Sequence, residues 1–428
     1  MRPRHVYVHV PFCARRCSYC DFSIAVRAKL PVAEYLSALR TELALRYGAD
    51  RPWPVDTIYL GGGTPSALGA DVGRLMDLLR EFVQPTSGAT GATGAAGAAG
   101  AADSEDAKGA DGADGADGAK GAEVTLEANP EHVTPRMAAA WREAGVNRLS
   151  LGAQSFDPKV LAWMHRTHRV DDISRAVDAA RSACLENVSL DLIFALPPKL
   201  GRDWEADLNR ALAFDPAHIS LYGLTVEPTT PLSRWIARGE TTPADDGVYA
   251  GEFLRAHAMA TSAGFDHYEV SNFALPGRHS RHNSAYWSGA PYAGLGPSAH
   301  EFDGTTRRWN VSPYAAWVST LGAGDYPIGG AEQLTQENRE TERVYLGLRT
   351  RTGLVIEPGD EPVIDSWERQ NWAERRGLGE AEVSNRPVER RGAAASTRGG
   401  AARVVLTADG WLRLDALATD LTYARSRS

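Results

Sequence analysis

The sequence predicts an α/β chain built around a partial (β/α)6, TIM-like barrel with a small α+β, winged-helix-like tail. Three observations predict it. Between residues 6 and 224, β-rich apolar runs alternate six times with stretches of helical spacing, the pattern of a parallel sheet with right-handed crossovers. Polar or glycine-rich groups stand at or near the ends of these runs, and barrel enzymes keep their chemistry at the C-terminal ends of their strands. Beyond residue 224 the alternation stops and shorter mixed segments follow.

At 428 residues with 43% apolar content the chain exceeds a usual single domain and has ample material for a core. We divide it into a barrel at 1–230, a barrel extension at 231–325 and a C-terminal helical, winged-helix-like domain at 326–428. No apolar run approaches the roughly 18 residues of a membrane span. The start of the chain enters a strand almost directly, without the apolar region of a secretory signal. With only four cysteines, a reducing, cytoplasmic setting is expected. The net charge of −8 is spread along the chain, which speaks against a broad nucleic-acid footprint.

The elements follow in order. Val6–Phe12 alternates β-branched and aromatic residues as the first strand, ended by Pro11. Val32, Tyr35, Leu36, Leu39 and Leu43 recur at intervals of three and four, a helix over Pro31–Tyr47. Asp56–Leu60 is the second strand, runs into Gly61-Gly62-Gly63-Thr64-Pro65-Ser66, and is followed by a helix over Asp71–Val83. Residues 88–122 carry glycine at every third position over most of their length but no proline, so they are not collagen. With nothing to bury they read as a disordered insertion, leaving the barrel opposite the strands' C-terminal ends. Glu123–Ala128, Arg148–Gln154, Asn187–Leu196 and His218–Leu224 are strands three to six, with helices at Pro135–Ala144, Asp172–Cys184 and about 203–214. Cys184 is expected in the core. Farther on, Asp246–Ala263 reads as a helix, Tyr268–Phe273 as a strand, Arg278–Trp309 as an aromatic loop-rich stretch and Glu337–Leu348 as a helix. Residues 378–402 read as a second disordered insertion, and Val404–Leu417 as a hairpin turning at Asp409-Gly410. The tail is expected to close the barrel's open side rather than bind DNA.

The chemistry begins with Cys13, Cys17 and Cys20, spaced C-x3-C-x2-C just after the first strand. A lone C-x-x-C suits a redox dithiol or half a zinc site. Structural zinc normally closes with four ligands, and no local fourth completes one. Three thiolates suit a cubane iron–sulfur cluster instead: each takes one iron and the fourth iron stays open for a small molecule with amino and carboxylate groups. The glycine run lets a ligand approach the backbone, or makes a tight turn; the Gly-Lys-Ser/Thr of a phosphate loop is absent. Gly294-Leu295-Gly296-Pro297-Ser298-Ala299 imitates a dinucleotide fingerprint without its strand–turn–helix setting, so it is a second close ligand approach or a simple loop. Asp191, within SLDLIFALP, needs a partner when buried, whether in a site, a structural ion pair or a cap for a neighbouring loop; Arg166 is a candidate partner for a carboxylate, either this one or that of the small molecule on the open iron. In Arg281–Trp287, RHNSAYW, the His and Tyr can ligate haem iron and the Trp can stack on a macrocycle; the other reading is a satisfied structural histidine.

The motifs HVPFCARRCSYCDF, GGGTPS, EANP, SLGAQSF, DLIFALP and HNSAYW, over roughly residues 6–310, resemble those of the oxygen-independent coproporphyrinogen oxidase family within the radical S-adenosylmethionine (SAM) superfamily. Phe22 stands where true oxidases carry a further cysteine, and almost nothing precedes the cysteine loop, so the chain is most similar to the HemW-type haem chaperones. The resemblance implies a radical SAM barrel with a [4Fe-4S] cluster on Cys13, Cys17 and Cys20, whose open iron chelates SAM. It implies that Tyr7, Gly62 and Glu127 contact that SAM. It also implies that Tyr19, Gly63, Thr64, Gln154, Arg166 and Asp191 match positions lining a second SAM site in the oxidase, with Tyr19 packed near bound cofactor. His282, Tyr286 and Trp287 match a haem-binding motif. The function implied is transfer of haem to an acceptor protein, such as a membrane respiratory protein, by a cytoplasmic chain that associates with the membrane at most peripherally. The alternative implied is an enzyme that cleaves SAM to a 5′-deoxyadenosyl radical and oxidatively decarboxylates coproporphyrinogen III to protoporphyrinogen IX. A radical SAM enzyme acting on RNA would want a basic, aromatic-lined groove, and no such concentration is present.

Overall fold

The computed structural model describes residues 2–48, 51–87, 121–377 and 402–427. The two expected insertions therefore fall outside the described residues, apart from Gly121, Ala122 and Ala402. Six strands carry the architecture: β1 (His5–Val10), β2 (Thr57–Gly62), β3 (Glu123–Ala128), β4 (Arg148–Gln154), β5 (Asn187–Phe194) and β6 (His218–Gly223). Each pairs in parallel with the next in chain order, so the six-unit partial barrel expected from the alternation is present. Helices cross between strands, and two of them start on side-chain caps: Thr134 accepts from Met137 N at 3.2 Å and Asp203 from Ala206 N at 3.0 Å.

The strands divide their two faces sharply. Val6, Val8 and Val10 of β1 are fully buried, as are Ile58 and Leu60 of β2 and Leu149 and Leu151 of β4. The alternate residues are polar and touch across strands: His5 meets Thr57, Tyr59 meets Glu127, and Ser150 meets Asp191. Because side chains alternate with period two, the apolar half lies under the helices and the polar half lines the lumen. A TIM-like barrel is ordinarily filled with branched apolar side chains; this one is lined by polar side chains that bond to one another.

Among the described residues the sheet extends to twelve strands. Next to β1, Tyr292–Leu295 adds in parallel, followed by antiparallel His300–Phe302, Thr306–Asn310 and Ile328–Gln333. Next to β6, Asn272–Ala274 and Asp266–Glu269 form an antiparallel edge, two short strands where one over Tyr268–Phe273 was expected. Helix Gln336–Arg349 is tied to both sides of the opening. Glu342 pairs with Arg307 at 2.9 Å, and Arg349 pairs with Glu269 at 2.8 Å. The C-terminal unit thus covers the gap.

Three sequence expectations are corrected. The stretch Arg278–Trp309 is not loop-rich, since it contains the helix Arg281–Trp287 and three strands. Cys184 is exposed with φ 57°; it holds the left-handed position that ends the helix Val170–Ser182. Val404–Leu417 is not a hairpin. Ala402–Leu406 pairs with Ala373–Gly377 across residues outside the described set, and the chain then becomes helical from Ala408 and again over Leu414–Arg425. Trp411, Leu414, Leu417, Ala418 and Leu421 are buried at helical spacing, a pattern the Asp409-Gly410 pair obscures.

Candidate cofactor site at the barrel rim

The cysteine loop leaves β1 at its C-terminal end and is pinned on several sides. Ala25 N donates to Pro11 O at 2.7 Å, Ser18 N to Met164 O at 3.1 Å, and His9 Nε2 lies 2.9 Å from Ser23 O. Cys13 is buried while Cys17 and Cys20 are half-buried. Cys13 Sγ lies 3.3 Å from Thr64 Oγ1, and Arg166 Nη1 donates to Cys17 Sγ at 3.6 Å. Burial pushes the Cys13 thiol up and the Cys20 thiol up to about 11, so a positive partner is needed to make them thiolates. Among the described residues no three His, Cys, Asp or Glu side chains close around one metal ion. Separate thiols beside a buried guanidinium fit a cluster that offers a separate iron to each sulfur. Arg166 Nε is buried without a partner, a further mark of a site made for a bound group.

Around this loop the rim gathers the residues marked in the sequence. Gly62 has φ 113°, and a Cβ there would come within 2.6 Å of His9 Nδ1. At Gly63 a Cβ would lie 2.8 Å from the Pro11 carbonyl. Both glycines are therefore required by the close passage of backbone beside β1. Glu127 accepts from Tyr59 OH at 2.9 Å and from Gly62 N at 3.0 Å, and burial raises its carboxyl to about 7. Tyr7 stacks on Tyr59, with its hydroxyl 3.1 Å from His9 Nδ1. Tyr19 packs against the cluster Val160, Met164, Ile193 and Leu196. Gln154 sits at φ 65° in a bulge of β4, the strained end of a strand beside Arg166.

Arg166 bridges Asn129 Oδ1 at 2.7 Å and Gly152 O at 2.9 Å. It is thus a clamp between the ends of β3 and β4 and not the partner of Asp191. Asp191 lies deeper in the lumen, where Ser150 Oγ donates at 2.9 Å and Ser189 Oγ at 3.2 Å, and burial raises its carboxyl. Sequence reasoning missed Arg148, 1% exposed in the same lumen, with its Nε lacking a partner. A charged residue at an inward position of β4 was the available signal.

The HNSAYW helix lies at the other end of the barrel. Its first N–H groups are taken by Glu123 at the start of β3: Arg281 N at 3.1 Å and His282 N at 3.0 Å. His282 is buried, with Thr57 Oγ1 2.7 Å from Nδ1 and Tyr286 OH 2.9 Å from Nε2, and its ring stacks on Tyr59. Both ring nitrogens are engaged and burial drives its pKa down to about 3, so the structure supports the satisfied structural reading. Trp287 is half-buried with Nε1 unpartnered. The GLGPSA segment joins strands and does not cradle a dinucleotide: a Cβ on Gly294 would strike His300 O, and one on Gly296 would lie 2.5 Å from His9 O. Glu42, fully buried, accepts from Gly296 N at 2.9 Å.

Comparison with known proteins bears on this arrangement. The model of the radical SAM superfamily matches residues 7–211. "Heme chaperone HemW" of Mycobacterium tuberculosis is 37% identical over 360 residues, 83% of this chain and 84% of that protein. The Bacillus subtilis protein of the same name is 32% identical over 352 residues, 82% and 84% of the two chains. Among solved structures, the coproporphyrinogen III oxidase HemN of Escherichia coli, a radical SAM enzyme, superposes with a TM-score of 0.71 at 20% identity, covering 98% of this chain and 90% of that one. That last likeness is one of fold.

Proposed function

The chain belongs to the radical SAM superfamily and, within it, to the family of the HemW haem chaperones, and on that footing we propose that it binds a [4Fe-4S] cluster, SAM and haem and passes the haem to an acceptor protein. One observation carries the reading: identity to a haem chaperone runs over 83% of this chain, well beyond the residues 7–211 that the superfamily shares. The oxidase alternative has support from the fold alone, at 20% identity.

In this reading Cys13, Cys17 and Cys20 hold the cluster, which supplies an open iron for SAM. Tyr7, Gly62 and Glu127 face that SAM. Glu127 offers a carboxylate to an ammonium group, and Gly62 leaves room for it. Tyr19, Gly63, Thr64, Gln154 and Arg166 wall the rim, Arg166 adding positive charge beside Cys17. Asp191 and its serines order the lumen below. Trp287 faces the haem, while His282 and Tyr286 hold the motif helix in place. The acceptor in this reading is a membrane respiratory haem protein reached from the membrane surface. No helix among the described residues is long and apolar enough to cross a membrane.

The test incubates anaerobically reconstituted protein with coproporphyrinogen III, SAM and a reductant, and separately titrates it with hemin. The proposal expects stoichiometric hemin binding, hemin transfer to an apo acceptor and no porphyrin product. Sustained formation of protoporphyrin would instead establish the oxidase.

A further inference from the structure

Tyr59 stands on the lumen face of β2, in register with Tyr7 of β1 on one side and Thr125 of β3 on the other. Its ring is clamped. Tyr7 stacks on it with centroids 6.1 Å apart, and the His282 imidazole of the motif helix stacks on it at 5.0 Å. The hydroxyl of this fixed ring donates to Glu127 Oε1 at 2.9 Å, while Gly62 N donates to Oε2 at 3.0 Å. Among the described residues Tyr59 is the one side chain that hydrogen-bonds this carboxylate. The rings also account for the first glycine of the run. A Cβ on Gly61 would come within 2.8 Å of Tyr59 Cε1 and 2.9 Å of Tyr7 Cε2. Something would have to shift, and rings packed against one another have little room to do so.

We propose that Tyr59 is a positioning residue of the SAM site: its clamped hydroxyl aims the Glu127 carboxylate at the amino group of SAM, and Gly61 keeps clear the space that its ring fills. The inference rests on the reading that Glu127 faces SAM and assigns a role to the side chain standing behind it. A hydrogen bond made to the ionised carboxylate both orients it and favours that form. Burial works the other way and carries Glu127 up to about 7, with the Tyr59 hydroxyl opposing it. The remaining groups that bear on Glu127 come from every neighbouring element. Asp191 of β5 disfavours its charge and Arg148 of β4 favours it. Tyr7 of β1, Tyr222 of β6 and Tyr286 of the motif helix also face it, but burial raises each phenol and keeps it neutral in this range. Removing the Tyr59 hydroxyl leaves all of these in place. Glu127 then titrates higher by about one pH unit, the size expected for a bond to a charged group. At sufficiently high pH it is ionised with or without that bond.

The test measures SAM affinity by equilibrium dialysis on the full, cluster-loaded chain at pH 6.5 and pH 9.0. Wild type is compared with Tyr59→Phe, Gly61→Ala, Glu127→Gln and the double variant of Tyr59→Phe with Glu127→Gln. The amino group of SAM titrates alike in every case, so the ratio to wild type is the readout. Tyr59→Phe keeps the ring and is expected to weaken SAM at least about fivefold at pH 6.5 and less than about twofold at pH 9.0. Gly61→Ala keeps the hydroxyl but displaces the ring, and is expected to weaken SAM at least about threefold at pH 6.5. Added to Glu127→Gln, Tyr59→Phe should change affinity less than about twofold, because the carboxylate it acts on is gone. Unchanged affinity of Tyr59→Phe at pH 6.5 overturns the inference and leaves the SAM reading standing. A loss equal at both pH values, or one that persists beside Glu127→Gln, makes Tyr59 merely structural and overturns it equally. If wild type binds no SAM, or Glu127→Gln binds it as wild type does, the reading of Glu127 falls and the inference with it. Should Tyr59→Phe fail to take up iron, Gly61→Ala decides by the same ratio.

Discussion

Replacing His282 by Phe separates a structural histidine from a ligand, and the structure sets the size of the effect. The ring volume and the stacking on Tyr59 survive, but Thr57 Oγ1 and Tyr286 OH each lose a buried partner. Thr57 Oγ1 keeps His5 Nδ1 at 3.0 Å, so with about 1–3 kcal/mol for the orphaned Tyr286 hydroxyl and about 1 kcal/mol for the lost bond to Thr57, the variant should be less stable at pH 7.5 by about 2–4 kcal/mol. Lowering the pH then narrows the gap. In the unfolded chain His282 takes up a proton near its ordinary 6.5, whereas in the fold it resists protonation down to about 3. The unfolded state therefore binds more protons in this window. The stability from keeping His282 neutral is complete above pH 6.5 and declines as pH falls toward 3, by about 1.4 kcal/mol per pH unit. By pH 5.0 the wild type has lost roughly 2 kcal/mol that the His282→Phe variant never had. His218 and His267 are also buried with lowered pKa values, but they titrate in both proteins and cancel in the difference. Urea midpoints of wild type and variant at pH 7.5 and 5.0 measure it. A gap that stays constant or widens at pH 5.0 refutes the reasoning.

Three further outcomes are expected. Glu42→Ala removes the carboxylate that pairs with buried Arg46 at 2.8 Å and holds Gly296 N and Trp317 Nε1. Its cost of about 3–5 kcal/mol for a broken buried pair should appear as a Tm lowered by roughly 6 °C or more in a thermal melt. Glu127 titrates near neutrality, so wild-type affinity for SAM, read by equilibrium dialysis on cluster-loaded protein, should rise from pH 6 to pH 8; Glu127→Gln should show a weaker, flat profile. Ala122 N donates to Thr86 O at 2.7 Å, so a short glycine turn replacing residues 88–120 closes the chain without moving β3. That variant should keep full iron and sulfide loading on assay, and a loss of more than half would show that the segment contributes.

The strands and the cysteine loop were legible because their signals are local: β-rich runs at regular intervals, and three thiols within eight residues of each other. The motif helix was not. It is seven residues long, too short to show two turns of periodicity, and its boundary is set by Ser280 capping Asn283 N and by Glu123 from a distant strand. The tail failed for the opposite reason. Asp409-Gly410 is a genuine turn signal, yet Thr407 captures Gly410 N at 3.1 Å and starts a helix there. The lumen was visible only in part. His5, Tyr7 and His9 alternate with three valines, but alternation does not say which half points inward, and the usual barrel would have chosen the valines. Arg148 and the serines around Asp191 were overlooked for that reason. Arg166 looked like a carboxylate partner because charge is readable in sequence; that it clamps Asn129 and the Gly152 carbonyl is a matter of strand-end geometry.

The proposed placement of haem at the motif helix favours a carrier over an oxidase. Hydrogen abstraction requires the reacting atoms within roughly 3–3.5 Å of each other, so an oxidase must bring its porphyrinogen to the rim where SAM sits. Strands of six residues at about 3.3 Å per residue put the two ends of the barrel on the order of 17–20 Å apart. The cysteine loop follows the last residue of β1, whereas the motif helix is held by Thr57 and Glu123, the first residues of β2 and β3. The space between is crossed by hydrogen-bonded side chains, from Gly62 through Glu127 to Tyr59, whose ring meets His282. A macrocycle against Trp287 lies beyond the reach of a radical formed at the rim. On the proposed placement of haem against Trp287, radicals formed at the cluster would not act on that cargo, and the rim is tied to the motif helix through protein groups alone, from Glu127 to Tyr59 and His282.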